Sequence, residues 1–381
     1  MTDYYNHYRH KKKKKRVSRV LEIITAVAAV ILICCAYSGR VNPTSFFLAP
    51  FMMLAYMPMV IVMLLLLIAA IIWRRWIAVL TVLVSLTLTL PVMKLFIGMN
   101  STDNIPPSPA DPALLLKVMT YNVLSFNYNE PATAGSTPSI KVILDANPDV
   151  VLLQEGAAAG LDWKDIPSLQ PYMSQMMARY PYLYNSPEGL NIMSKYPFTT
   201  EPLCDPRYSR SALGYNRETT AYLARAYDLQ LPSGKQLRLV DFRLQSYHLS
   251  FGKNPNIRIS PDVKPSAIER MRRSFALRGD DAASLRQALD ASPENLIVCG
   301  DMNDVSASYV YRIIRGADLK DAWAETARGY GHSFNRHNLP YRIDQILYRG
   351  DVRALEAERI KGGSSDHYPI MATFDIEIMN K

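Results

Sequence analysis

The 381-residue sequence predicts an all-α membrane region followed by one α/β domain built as a two-layer or sandwich structure. Three observations support this prediction. Three long apolar runs precede residue 98, and a polar, Pro-rich segment at 100–112 follows them. From residue 114 onward, eight shorter strand-like apolar runs recur, with helical patterns at 137–146 and 266–291 between some of them. Runs of about 20 apolar residues match a bilayer core, whereas strands with interspersed helices are typical of layered folds.

The apolar runs cover residues 20–38, 46–73 and 76–97, and we expect three transmembrane helices within residues 20–98. Glu22 and Lys94 are the charged residues inside them, and Lys94 lies where its ammonium can reach the interface. Pro50 and Pro58 are expected to bend the second helix. A cleaved signal peptide is the alternative for the first run, but no small-x-small cleavage site follows it, and two further runs do.

The basic residues predict the orientation of these helices. Residues 1–19 form a basic tail, with eight Lys and Arg at 9–19. A solvated tail and a nucleic-acid-binding tail are alternatives, but the adjoining apolar run favours a cytoplasmic flank. Arg74 and Arg75 also belong to the cytoplasmic side. Three crossings then give an integral inner- or plasma-membrane protein with a linker at 99–113 and a periplasmic or extracellular domain at 114–381.

The net charge of +9 does not by itself indicate nucleic-acid binding by this domain. Residues 1–99 carry 12 Lys and Arg against two Asp and Glu, whereas the remaining 282 residues carry 31 against 32. The basic character therefore belongs to the N-terminal region, and the domain gives no charge argument for polyanion binding. The four cysteines have neither zinc-site spacing nor the pattern of a disulfide framework.

Polar residues of catalytic type stand at the ends of the strand-like runs. Ligand sites in layered folds collect at strand ends, where loops present side chains from separate segments to one cleft. A single Asn or Asp in such a place more often caps a helix or makes a turn. The recurrence in order along the domain favours one shared site, formed by Asn122, Glu155, Asp301, Asn303, Asp344, Asp366 and His367.

Six motifs across residues 115–378 resemble the endonuclease/exonuclease/phosphatase superfamily. They are "TYNV", "PDVVLLQE", "GLNIMSKYPF", "GDMND", "RIDQIL" and "SSDHYPI". "PDVVLLQE", "GDMN" and "SDHYPI" together are specific, and the others are weak alone. The resemblance implies a deoxyribonuclease I-like fold, a four-layer α/β/β/α sandwich, and hydrolysis of phosphoester bonds with Mg²⁺ or sometimes Mn²⁺. The membrane region lies outside it.

The resemblance also implies which residues hold the metal. Glu155 would be the principal ligand, and the amide oxygen of Asn122 and the carboxylate of Asp366 would assist it. Hard divalent cations prefer such oxygen ligands and keep several waters. The metal would neutralise a phosphate oxygen and the charge that develops during the reaction.

The other four residues would act on the water and the phosphate. By the same resemblance, Asp301 orients or deprotonates the attacking water, and Asn303 holds the water or a phosphate oxygen. His367 contacts the phosphate or transfers a proton. Asp344 accepts a hydrogen bond from the other ring nitrogen of His367, which fixes the tautomer and favours the charged imidazole.

One position departs from the family pattern. Family members usually have a histidine where "DFRLQS" places Arg243, and that histidine contacts the scissile phosphate or the leaving group. Arginine supplies positive charge and bidentate donors, but it does not lose a proton at neutral pH. Hydrolysis is expected to survive if the role is electrostatic and to weaken if the role is acid catalysis. His248 is a substitute if the strand bends there.

The sequence therefore predicts a membrane-anchored, metal-dependent phosphoesterase with no obligate protein partner. Nucleic acid is the first substrate class considered, as the commonest in the family. Phospholipid, sphingomyelin or inositol-phosphate substrates are the alternative, since tethering makes lipid-linked phosphates accessible. A non-catalytic binding protein that kept the fold is a further alternative, supported by Arg243.

Overall fold

The computed structural model describes residues 2–100, 114–128, 135–156, 162–204, 207–210, 216–221, 223–232, 234–246, 266–335 and 341–376. The chain divides into two compact units. One contains Met1–Lys94 with Ala307–Tyr309, and the other contains Leu95–Ser306 with Val310–Lys381. Most of the predicted linker, residues 101–113, lies outside the described residues.

Apolar helices form the first unit. In chain order they are α1 (Thr2–Tyr37), α2 (Ala49–Leu54), α3 (Tyr56–Ile72) and α4 (Trp76–Phe96), of which α4 ends in the second unit. By length and composition, Arg19–Arg40 and Trp76–Phe96 can cross a membrane, whereas α3 has 17 residues. The third predicted span thus rests on a shorter helix, and the three-span arrangement stays a prediction. The basic tail continues α1 as helix.

The second predicted apolar helix is interrupted between α2 and α3. Proline removes a backbone donor, and its ring clashes with the carbonyl four residues earlier. For Pro58 that carbonyl belongs to Leu54, the residue at which α2 ends. Helix α3 begins again at Tyr56, so Pro58 falls in its first turn, where a missing N–H is tolerated.

The second unit is rich in strands. They are β1 (Ile97–Met99), β2 (Leu115–Asn122), β3 (Val150–Gln154), β4 (Tyr182–Tyr184), β5 (Asn191–Ser194), β6 (Phe198–Leu203), β7 (Arg207–Arg210), β8 (Asn216–Ala221), β9 (Ala224–Gln230), β10 (Gln236–Arg243), β11 (Leu296–Asp301), β12 (Lys320–Asp321), β13 (Arg328–Tyr330), β14 (Asp344–Arg349), β15 (Arg353–Arg359) and β16 (Ile370–Asp375). Its helices are α5 (Ser139–Ala146), α6 (Met173–Arg179), α7 (Ala267–Asp290), α8 (Tyr309–Arg315) and α9 (Ala322–Thr326).

Twelve of these strands form two six-stranded sheets. One sheet has the order β12-β14-β11-β10-β9-β6, and the other has the order β15-β16-β2-β3-β5-β4. Each sheet contains one parallel pair, β10 with β11 and β2 with β3, and its other pairs are antiparallel. The carboxyl ends of two neighbouring strands therefore meet at one edge in each sheet.

Three apolar clusters divide the second unit into four layers. The central cluster joins the facing sides of the two sheets and includes Val118, Leu152, Leu239 and Ile297. A second cluster packs the outer side of the β2–β3 sheet against α5 and α6. A third packs the outer side of the β10–β11 sheet against α7 and α8. The four-layer α/β/β/α sandwich predicted from the motifs is confirmed.

Candidate active site

Strand alternation directs four of the predicted residues into the space between the sheets. Successive side chains of a strand point to opposite faces, so alternate residues share one face. On β2 and β11, the core residues Val118 and Ile297 face the opposite sheet. Asn122 and Asp301 occupy the same alternate positions at the carboxyl ends of these strands. Arg243 ends β10, and Asp344 begins β14 directly opposite Asp301 in the ladder.

Asp301 is the centre of the resulting cluster. Its Oδ2 accepts hydrogen bonds from Asn122 Nδ2 and Asn303 Nδ2, each at 3.0 Å, and its Oδ1 accepts one from the Asn303 backbone N–H at 2.7 Å. Asn303 Nδ2 also donates to the Leu244 carbonyl at 3.0 Å. Two residues that are 179 positions apart in the chain, Asn122 and Asp301, thus meet directly and join the two sheets.

His367 lies on the other side of this cluster and is paired with Asp344. His367 Nδ1 donates to Asp344 Oδ2 at 2.8 Å, and its Nε2 lies 4.0 Å from Asp301 Oδ2. All three side chains are buried. Asp344 Oδ1 is also buried, and it has no hydrogen-bond partner among the described residues. The predicted contact between Asp344 and the imidazole is therefore present in the structure.

The pKa values of Asp301 and His367 are both raised, but for different physical reasons. Burial raises the pKa of Asp301 to about 6, although the positive charge of His367 partly offsets this rise. Burial would lower the pKa of His367, but the hydrogen-bonded Asp344 carboxylate and two further carboxylates outweigh it and raise the pKa to about 10. At neutral pH the site thus holds a charged imidazole beside a carboxylate that is ready to accept a proton.

Glu155 contacts both Asn122 and Arg243. Asn122 Nδ2 donates to Glu155 Oε1 at 3.0 Å, and Arg243 Nη2 lies 2.5 Å from the same oxygen. Glu155 has a φ of 52°, a left-handed conformation that residues other than glycine rarely adopt. The Ser125 backbone N–H donates to the Glu155 carbonyl at 2.6 Å, which holds this turn. Backbone strain of this kind concentrates at functional sites.

The oxygen-rich donor set fits a hard divalent cation. Asn122 Nδ2 donates to the carboxylates of both Glu155 and Asp301, so two carboxylates lie beside one amide group, whose Oδ1 accepts from the Leu124 N–H at 3.2 Å. A different trio, Asp301, Asp344 and His367, has ligand atoms within 4.8 Å of one another. Both groups of candidate ligands already have internal partners, since His367 bonds to Asp344 and Glu155 contacts Asn122 and Arg243.

Asp366 and His248 are the two remaining residues that the sequence predicted for the site. Asp366 precedes His367 in the loop before β16, and its backbone carbonyl accepts a hydrogen bond from the Asn335 N–H at 2.9 Å. Its negative charge contributes to the raised pKa of His367. His248 lies outside the described residues. The role of Asp366 as a metal ligand and that of His248 as a phosphate contact stay predictions.

The sequence analysis missed two serines that hold the His367–Asp344 pair in place. Ser365 Oγ donates to the Asn122 carbonyl at 2.6 Å and accepts from the His367 backbone N–H at 3.1 Å. Ser333 Oγ accepts from the Asp344 backbone N–H at 3.1 Å. Ser365 lies two residues before His367 in the "SSDH" motif, and this position could have identified it as a site residue. Ser333 lies in a loop whose path the sequence does not reveal.

A buried hydrogen bond beneath the site joins the two sheets. Gln154 Nε2 donates to Asp241 Oδ1 at 2.5 Å, and these residues come just before Glu155 and two positions before Arg243. Burial raises the pKa of Asp241 well above its usual range. The bond brings β3 close to β10, and this explains how Glu155 reaches Arg243.

A second missed group, Arg278 on α7, connects two segments that carry site residues. Arg278 Nη1 donates to the Gln245 carbonyl at 2.9 Å, and its Nη2 lies 3.6 Å from Asp304 Oδ2. Both charged side chains are buried. Gln245 follows Arg243 by two residues, and Asp304 follows Asn303 directly. Arg278 therefore positions the loops after β10 and β11 relative to each other.

Replacing Arg278 with methionine is expected to destabilise the protein by about 3–5 kcal/mol, because the change leaves the buried Asp304 carboxylate without its cation. Thermal or urea unfolding of the full chain in detergent measures this. Arg272→Met on the same helix is the matched control, since the exposed Arg272 pairs with Glu269 at the surface. We expect Arg278→Met/Asp304→Asn to recover part of the loss. Equal stability of the Arg278 and Arg272 variants contradicts the assignment.

Two family models match most of the chain. The profile described as "Endonuclease/Exonuclease/phosphatase family" matches residues 119–367. A second profile, described as a domain of unknown function, matches residues 18–95. A search of curated proteins finds no match.

Several solved structures are similar to part of this chain. An endonuclease/exonuclease/phosphatase from Beutenbergia cavernae DSM 12333 is 17% identical over 68% of this chain and 71% of its own, with a TM-score of 0.45. D. rerio TDP2, complexed with a single-strand DNA product, is 20% identical over 68% of this chain and 98% of its own (TM-score 0.44). Sphingomyelinase C from Streptomyces griseocarneus is 18% identical over 68% of this chain and 99% of its own, with a TM-score of 0.43.

Proposed function

The chain belongs to the endonuclease/exonuclease/phosphatase family, and from this premise we propose that it is a membrane-anchored, divalent-metal-dependent phosphoesterase. The observation that carries the proposal is the environment of Asp301. Two asparagines donate hydrogen bonds to its carboxylate, and the imidazole of His367 lies 4.0 Å away. A carboxylate held in this way, next to a cationic donor, suits attack of water on a phosphorus atom.

Asp301 would accept the proton of the attacking water. Its pKa of about 6 is still below 7, so the anion predominates at neutral pH. Because this pKa is higher than that of an ordinary aspartate, the anion is also a stronger base. The hydrogen bonds from Asn122 and Asn303 fix the direction of its lone pairs. Asn303 Nδ2 already donates to Asp301 Oδ2 and to the Leu244 carbonyl, so its Oδ1 is the atom that would hold the attacking water, as an acceptor.

His367 would stabilise the phosphate as a cation. The Asp344 carboxylate keeps the imidazole charged and fixes which ring nitrogen faces the substrate, so Nε2–H points toward Asp301 and the site. From this position the ring can donate to a phosphate oxygen or protonate the leaving oxygen. A bound Mg²⁺ or Mn²⁺, held by Glu155 and Asn122, would neutralise charge on the phosphate.

Arg243 would take only the electrostatic part of the role that the family gives to a histidine. Guanidinium is permanently charged and offers a planar pair of donors to phosphate. It does not act as an acid in this pH range. The proposal therefore assigns proton transfer to His367 and Asp301, and charge stabilisation to Arg243.

We propose nucleic acid as the first substrate class and lipid-linked phosphate esters as the second. Two helices long and apolar enough to span a bilayer support anchoring, and Trp76, the first residue of the second of them, is more than half exposed. Anchoring, with the domain outside the cytoplasm, would allow either a nuclease that acts on external nucleic acid or an enzyme that acts on membrane phospholipids. The near-neutral second unit gives duplex DNA no electrostatic advantage.

Removal of divalent metal is expected to abolish hydrolysis by the full chain in detergent. The assay panel consists of plasmid DNA, single-stranded RNA, sphingomyelin vesicles, phosphatidylinositol phosphates and sugar phosphates, each with Mg²⁺, with Mn²⁺ and with EDTA. We expect hydrolysis of at least one class with metal, and its recovery when metal is added back after EDTA. Turnover that persists in EDTA, or that survives Glu155→Ala, contradicts the metal-dependent mechanism.

A further inference from the structure

One oxygen of Glu155 receives two donors at once. Its Oε1 lies 3.0 Å from Asn122 Nδ2 and 2.5 Å from Arg243 Nη2. The contact with Arg243 is a charge-assisted hydrogen bond, which is stronger than a neutral one. Arg243 is 36% exposed and Glu155 is 26% exposed, so the pair lies at the mouth of the site rather than in the core.

This pair opposes metal binding by Glu155. A divalent cation needs the lone pairs of the carboxylate, and a guanidinium at 2.5 Å occupies one of the same oxygens. The two positive charges would also repel each other at such a distance. The cation can therefore use Glu155 fully only when Arg243 has another partner.

Arg243 has the means to take such a partner. Its Nε is buried and has no hydrogen-bond partner among the described residues, so a change of position that brings it to a ligand would give up no hydrogen bond of this atom. The side chain extends from the end of β10, where Arg243 is paired with Asp301 of the neighbouring strand β11. A phosphate beside Asp301 would present oxygens to a guanidinium fork, and bidentate contacts of this kind are favourable.

We propose that Arg243 exchanges partners during binding, from the Glu155 carboxylate in the metal-free protein to a phosphate group when metal and substrate are both present. This inference deepens the proposed function and rests on it. The energetic cost of separating Arg243 from Glu155 is then shared by two ligands. Each ligand that removes Arg243 from Glu155 makes binding of the other easier, and linkage makes this effect reciprocal. A histidine in place of Arg243 would lack this permanent ion pair.

The test measures Mn²⁺ binding rather than turnover. Free Mn²⁺ is followed by electron paramagnetic resonance with the EDTA-stripped full chain in detergent, at micromolar metal, with and without inorganic phosphate. We expect Arg243→Ala and Arg243→Gln to bind Mn²⁺ about fivefold more tightly than the parent protein when phosphate is absent. We also expect the increase in Mn²⁺ affinity caused by phosphate to be about fivefold smaller in these variants. Arg272→Ala, which removes an exposed cation paired with Glu269, should change neither value.

The outcomes separate the exchange from simpler explanations. If Arg243 only repels the metal and never moves, both variants tighten Mn²⁺ binding equally with and without phosphate, and the exchange is ruled out. If the pair with Glu155 has no energetic weight, Mn²⁺ binding without phosphate is unchanged, and the proposal is also overturned. If no protein variant binds Mn²⁺, the metal-dependent function itself is wrong. Unfolding curves for both Arg243 variants check that each is folded.

Discussion

Asp301→Asn is expected to lower kcat/KM by about 10²- to 10⁴-fold on whichever substrate the full chain hydrolyses, because general-base catalysis is lost. Asparagine keeps the size of the side chain and can keep several of the hydrogen bonds that hold it. It cannot accept the proton of water at any pH of interest. The measurement is initial-rate kinetics with saturating Mg²⁺ in parallel with Asp290→Asn, an exposed carboxylate at the end of α7.

The pH profile provides a second check on Asp301. Below its pKa of about 6 the carboxyl group is protonated and cannot act as a base, so kcat/KM of the parent protein is expected to rise through about pH 6. An ordinary aspartate would give this limb at about pH 4. A residual rate in Asp301→Asn with the same acidic limb would assign that limb to another group. An unchanged rate would remove Asp301 from the mechanism.

Much of this site could be predicted because it consists of strand-end residues. Asp301 ends the apolar strand β11 and Asp344 begins β14, and the alternation of side chains along these strands determines that both face the opposite sheet. The motif order then identified the four-layer fold. The pairing of Asp344 with His367 was also predictable, because the resemblance assigned a carboxylate to the ring nitrogen that faces away from the substrate.

The remainder depends on contacts between distant segments. Glu155 lies beside Arg243 because β3 and β10 belong to different sheets that pack face to face. The local sequence of neither strand predicts which residues of the other sheet it will contact. Arg278 lies in an Arg-rich stretch of α7, yet it is fully buried. Helical periodicity alone does not tell which basic residue of such a helix faces a polar loop. The break before α3 was partly predictable, because Pro58 was expected to disturb that helix.

Asp344→Asn is expected to have the second-largest effect, a loss of about 10²-fold or more in kcat/KM at about pH 8. The asparagine side chain still reaches His367 Nδ1, but it no longer supplies the negative charge that keeps the imidazole charged. Burial then offsets more of the effect of the remaining Asp301 and Asp366 carboxylates, and the pKa of His367 falls below its value in the parent protein. The neutral ring is a weaker donor to phosphate, and its tautomer is no longer fixed. The matched control is Asp351→Asn, an exposed carboxylate in the turn after β14.

The pH dependence distinguishes loss of charge from simple misplacement of the ring. In the parent protein the folded pKa of His367, about 10, is higher than the value near 6.5 expected for an unfolded chain. The stability that this ion pair contributes is thus fully present below about pH 6.5 and is lost as the pH rises through about 10. In Asp344→Asn this decrease in stability between about pH 7 and about pH 10 should disappear, and the alkaline limb of kcat/KM should move to lower pH. If activity falls but both pH profiles keep their shape, Asp344 only positions the ring, and the charged imidazole is not part of the mechanism.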